Sequence, residues 1–97
     1  MEGKTAQVAR ARVIFRGRVQ GVFFRSFTQQ TAAALDVSGF VKNLPDGSVE
    51  AVFEGAEPLV KETLNICRQG PPHASVEDMN IKWEPYSGEF RGFSVRY

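Results

Sequence analysis

The chain has 97 residues, 42% of them hydrophobic and 24% charged, which is the composition of one soluble globular domain. A net charge of +1 provides no broad field for gathering nucleic acid or an anionic membrane surface. No apolar run reaches the length of a membrane span, the opening MEGKTAQVARARVIF lacks the pattern of a signal peptide, and the single cysteine, Cys67, excludes an internal disulfide and predicts a reducing, cytoplasmic setting.

Residues 1–7 are expected to form a disordered N-terminal extension, and residues 8–97 a single domain. From Val8 to Arg16 the chain alternates. Ala9, Ala11, Val13 and Phe15 fall on one side and Arg10, Arg12 and Arg16 on the other, which predicts a half-buried strand. A glycine-containing loop follows. Phe24 to Leu35 is then predicted helical, with Phe24, Phe27, Thr31 and Ala34 on its buried face and Ser26 or the loop itself as its cap. Val37–Leu44 and Ser48–Glu54 form a predicted hairpin around LPDG, because Pro presets its backbone angle and Gly accepts a left-handed one.

Glu57-Pro58 opens a second helix with Val60, Thr63, Leu64 and Cys67 as its apolar stripe, and Gly70-Pro71-Pro72 ends it. Met79, Ile81 and Trp83 alternate in a fourth strand, and Phe93, Val95 and Tyr97 in a fifth. The order β-α-β-β-α-β, with a terminal extra strand, predicts a ferredoxin-like α+β sandwich. Its sheet is mainly antiparallel and carries both helices on one face.

Titratable groups that could work as a catalytic pair are scarce. His73 follows two prolines in a loop and is expected to be solvent-exposed. Cys67, on the inner stripe of a helix, is expected to behave as a small hydrophobe. No zinc-ligand spacing, P-loop or dinucleotide fingerprint occurs, so neither a metal nor a cofactor is predicted. The closing RGFSVRY partly mimics the aromatic strand motif of RNA-recognition domains, which share this fold. That motif belongs on the third strand, which here is SVEAVFEG and carries two acidic residues. Phe93 and Tyr97 are therefore expected in the core, and nucleic acid is not an expected partner.

The stretch GRVQGVFFR, residues 17 to 25, leaves a strand and enters a helix. Backbone amides in such a loop, added to the positive end of the helix, suit an anion. Gly17 and Gly21 would let the backbone curl closely around a ligand, with Phe23 and Phe24 as anchors. Arg25 would supply a charged fork matched to phosphate. A glycine turn followed by a solvated arginine explains the same residues equally well. Asn43, taken alone, is simply a turn residue before LPDG.

Two spaced stretches separate these readings. Residues 17–25 resemble the acylphosphatase motif G-x-V-Q-G-V-x-F-R, and GFVKNLPDGSVEAVFEG, residues 39–55, resembles the second signature of the same family. The resemblance runs from about Val8 to Tyr97, with one departure at Phe15, where an aliphatic residue is usual. It implies a monomeric, cofactor-free enzyme acting on a small-molecule acyl phosphate. By position, Arg25 would bind the phosphoryl group, Asn43 would orient the attacking water, and Gly17, Arg18, Val19, Gln20, Gly21 and Val22 would form a backbone cradle.

The chemistry agrees with so few titratable groups. The leaving carboxylate has a conjugate acid of pKa about 4 and needs no general acid. A metaphosphate-like transition state asks little of the nucleophile, which leaves positioning and charge stabilisation. Two alternatives are kept. One is a carbamoyl-phosphate-cleaving module like the N-terminal domain of hydrogenase-maturation carbamoyltransferases, which the chain's short length makes less expected. The other is a non-catalytic phosphate- or RNA-binding module.

Overall fold

The computed structural model describes residues 7–97. The elements are β1 (Val8–Arg18), α1 (Phe24–Ala34), β2 (Ser38–Asn43), β3 (Val49–Ala56), α2 (Glu57–Gln69), β4 (Ser75–Glu84) and β5 (Phe93–Arg96). The strands form one sheet in the order β4-β1-β3-β2-β5, in which only β2 and β5 run parallel. Of the expected extension, only Gln7 lies within the described residues, and its carbonyl accepts the Glu57 N–H at 2.8 Å.

The alternation of β1 sends Ala11, Val13 and Phe15 into the core, beside Val49, Ala51 and Phe53 of β3 and beneath both helices. Phe15 meets Phe24 edge-on, with ring centroids 4.9 Å apart, so the aromatic residue that departs from the family pattern packs against the first residue of α1. On α2 the predicted stripe Val60, Thr63, Leu64 and Cys67 is buried throughout. Burial pushes the Cys67 thiol up to about 12, against a weak opposing hydrogen bond to Thr28 Oγ1 at 3.8 Å. Cys67 is thus a core hydrophobe. Within β2, a side chain at Gly39 would place its Cβ 1.8 Å from the Val52 carbonyl oxygen. Phe53 and Phe93, the partners of Gly39 on its two sides, instead stack at 5.5 Å.

Four expectations need correction. The buried stripe of α1 is Phe24, Thr28 and Ala32, while Ala34 is exposed, because α1 packs against α2 as well as the sheet. Ala9 is only partly buried, being near the end of β1. Trp83 is half-exposed, since it lies near the end of the edge strand β4. Tyr97 is 99% exposed rather than core, because β5 ends at Arg96 and the ring lies beyond the sheet.

β4 and β5 occupy opposite edges, so residues 85–92 must cross the sheet face that the helices leave open. Glu54 holds this crossing. It is 2% exposed and accepts from Arg10 Nη1 (2.9 Å), Ser87 N (2.8 Å), Ser87 Oγ (2.8 Å) and Gly88 N (3.0 Å). Phe90 completes the strap, packing on Phe40 and beneath the Arg10 guanidinium. Burial opposes the charge on Glu54, but these donors, Arg10 first, outweigh it and hold the carboxyl below its ordinary range.

Such a carboxylate gives stability that is full above the unfolded-state pKa of about 4.3 and is lost as pH falls through the lower native value. Glu54→Gln is expected to cost about 3 kcal/mol at neutral pH, as for breaking a buried ion pair. Urea unfolding across pH checks this: the gap between wild type and variant should shrink in acid.

Candidate active site

β1 reaches the site through a bulge between Arg16 and Gly17. Gly17 has φ +123°, and a Cβ there would lie 2.2 Å from the Ser75 carbonyl oxygen. Its missing side chain therefore answers to the approach of β4 and not, as expected, to a ligand. Arg18 is the last residue of β1, pairs with Ser75 and is exposed. Val19 is buried and roots the loop that follows. Gln20 Nε2 donates to the carbonyls of Leu44 (2.9 Å) and Ser48 (2.8 Å), tying the loop to the ends of the β2–β3 hairpin. Gly21 has φ +74° with open space where a Cβ would stand, and Val22 packs on the core margin.

Phe23 is left-handed at φ 64°, a conformation that costs a bulky residue about 1 kcal/mol or more. Its ring is 82% exposed, so Phe24 alone anchors the segment. Phe23 is also the N-cap of α1 and offers no side-chain bond to the first-turn amides. Ser26 does not cap either: its hydroxyl donates back to the Phe23 carbonyl at 3.1 Å. The first turn holds no acidic residue, and Arg25 sits in it at the positive end of the helix. Open amides and an arginine gathered there favour an anion between them.

Arg25 is braced from β5. Its Nη1 donates to the Arg96 carbonyl at 3.1 Å, and its guanidinium lies 4.7 Å from the Tyr97 ring centroid. Asn43 is the last residue of β2, paired with Val49. Its Oδ1 is buried and, among the described residues, has no hydrogen-bond partner. Such an atom normally finds a donor, so its isolation marks a place for a ligand or water.

Arg25, Asn43, Val19 and Gly21 line one cavity of about 670 Å³, together with Phe23, Phe24, Ser26, Gln29 and the β5 residues Phe93, Ser94 and Val95, then Tyr97. Gly17, Arg18, Gln20 and Val22 do not line it. Of these, Gln20 is placed to hold the loop from behind. The contribution of Gln29 was legible, since it follows Arg25 by one helical turn; its Nε2 donates to the Phe93 carbonyl at 3.3 Å. That of β5 was not legible, because alternation alone places its aromatic residues in the core.

Among the described residues, no Asp, Glu or His side chain lines the cavity. Asp46, in the turn beyond Asn43, is held by the Ser48 hydroxyl and by the Ser48 N–H, which lower its carboxyl from the ordinary value. Glu50 pairs with Arg12 at 2.8 Å and with Lys42 at 3.8 Å. His73 is exposed in the turn after α2. Among the described residues, no three His, Cys, Asp or Glu side chains gather as a metal-ligand set, and no helix is long and apolar enough to cross a membrane.

Fold and cavity together define a ferredoxin-like α+β domain with an arginine-lined cavity where a strand turns into a helix. A family model described as Acylphosphatase matches residues 11–95. An acylphosphatase of Rubrobacter xylanophilus is 57% identical over 93% of this chain and 82% of its own length. One from Aeropyrum pernix is 52% identical over 93% of this chain and 90% of its own. A crystal structure of acylphosphatase from Bacillus subtilis superposes with a TM-score of 0.89 at 35% identity, covering 92% of this chain and 99% of that one. The chain belongs to the acylphosphatase family and is a hydrolase.

Proposed function

We propose that the enzyme hydrolyses acyl phosphates to a carboxylate and inorganic phosphate, with the phosphoryl group held by Arg25 and by the loop backbone at Val19 and Gly21, the part of the 17–22 loop that lines the cavity, and the water oriented by Asn43. The oxygen of that water bonds to phosphorus as the bond from phosphorus to the acyl oxygen breaks. The bonding pair leaves on the carboxylate, and the proton of the water passes to the product phosphate or to solvent. Since the leaving group needs no proton, a cavity without an Asp, Glu or His side chain among the described residues fits the reaction. The guanidinium and the open amides of α1 would offset charge on the equatorial oxygens.

The observation that carries this reading is the shared cavity. The buried, unpartnered Oδ1 of Asn43 lines the same space as the guanidinium of Arg25, so a phosphoryl group and an attacking water have one place to meet. The same reading takes the enzyme as a cytoplasmic monomer without a nucleic-acid partner. Its one cysteine is a buried thiol, and Arg10 and Arg12 of the open sheet face are occupied by Glu50, Glu54 and Glu84.

Phosphate release from an acyl phosphate tests the two side chains separately. Arg25→Lys keeps the charge and loses the two-pronged contact, so kcat/KM should fall roughly 100-fold and inhibition by inorganic phosphate should weaken in parallel. A lysine variant that keeps most of its activity rules this role out. Asn43→Ala should lower kcat by about 10² while phosphate inhibition changes by no more than about threefold. Loss of phosphate binding at normal turnover would instead place Asn43 in the cradle.

A further inference from the structure

The cavity is far larger than a phosphoryl group, and beside Ser26, Gln29 and Ser94 it carries apolar side chains that a phosphoryl group does not need. Phe23, Val95 and Tyr97 are among them. We propose that Phe23 and Tyr97 form a subsite for the acyl half of the substrate that favours aromatic acyl groups over small aliphatic ones. The proposal rests on the hydrolase reading above and adds what that reading leaves open.

Three observations carry it. The first is direction. Displacement at phosphorus runs in line, so the acyl oxygen leaves on the side opposite the attacking water. Asn43 Oδ1 is buried, whereas Phe23 (82% exposed) and Tyr97 (99% exposed) line the solvent-facing part of the same cavity, so a leaving group that departs from Asn43 toward solvent meets the side on which these rings stand. The second is proximity. The Tyr97 ring lies 4.7 Å from the guanidinium carbon of Arg25, and Phe23 stands two residues before Arg25 at the start of the same helix. A group bonded to a phosphoryl held by Arg25 therefore starts within reach of both rings.

The third observation is the state of Phe23 itself. It holds a left-handed backbone that disfavours a bulky side chain, and its ring contributes almost nothing to the core. An exposed aromatic side chain on a strained backbone at a cavity mouth is poorly explained by stability. It is well explained by a ring waiting for a flat apolar partner. The glycine at position 21 and the valine at position 22 serve the loop, whereas position 23 is free to read the substrate.

The test compares benzoyl phosphate with acetyl phosphate as substrates. The ratio of their kcat/KM values is measured in wild type, Phe23→Asn and Phe23→Tyr. Taking each variant's ratio relative to wild type cancels the intrinsic reactivity of the two substrates. Asparagine tolerates the left-handed backbone and removes the ring without emptying any core, so the variant should fold. The benzoyl-to-acetyl ratio should fall about five- to tenfold in Phe23→Asn, mainly through a higher KM for benzoyl phosphate, and return in Phe23→Tyr.

An unchanged ratio overturns the subsite. So does an equal loss with both substrates, which would assign Phe23 to the phosphoryl cradle. Failure of the wild type to turn over either compound would sink the hydrolase reading and the subsite with it, an outcome distinct from the other two.

Discussion

The edge-on contact between Phe15 and Phe24 fixes the point at which β1 gives way to α1, and the cavity depends on that point. With Phe24 driven into the core as the first helical residue, Arg25 must stand in the first turn, where amides have no partners within the helix. The loop between Arg18 and Phe24 then has no freedom to pack inward. Val19 roots it, and Gln20 ties it across to the hairpin that carries Asn43. The two polar side chains of the site thus come from separate elements, registered to each other by one glutamine and one aromatic pair.

β5 completes the arrangement from the far edge of the sheet. It runs parallel to β2, and its end delivers the Arg96 carbonyl and the Tyr97 ring to Arg25. Reaching that edge requires the crossing over the open face, which Glu54 secures with three hydrogen bonds from Ser87 and Gly88, while Arg10 of β1 supplies a fourth to the same carboxylate. A buried carboxylate on β3 therefore helps to position a guanidinium with which it has no contact. The open face carries a ladder of such pairs, Arg10 and Arg12 bridging Glu54, Glu84 and Glu50. Each of these charges has a partner of opposite sign, which offsets the cost of taking it partly out of water.

Much of this was legible in the residues. Alternation in β1, the LPDG turn and the Val60-Thr63-Leu64-Cys67 stripe each follow from local chemistry, and the structure keeps them. The two motifs brought Arg25 and Asn43 to notice, and both do line one cavity. What local pattern could not supply was long-range contact. Gly17 looked like a ligand-facing glycine because the β4 carbonyl that forbids its side chain is 58 residues away in sequence. Tyr97 looked buried because alternation says nothing about where a sheet stops. Phe23 and Phe24 look alike in sequence, and only the backbone angle at Phe23 separates the exposed ring from the buried one.

The central claim is that this cavity works by position and charge, with no side chain that must gain or lose a proton. Arginine cannot be deprotonated in a protein, and neither asparagine nor a backbone amide titrates in the working range. The direct measurement is kcat for an acyl phosphate across pH, in wild type and in His73→Gln. The account predicts a nearly flat profile from about pH 5 to 8, apart from a step near 6 that belongs to the phosphate of the substrate, and the same profile in the variant. A bell whose limb near neutrality disappears in His73→Gln would show a histidine carrying the reaction and would contradict the account.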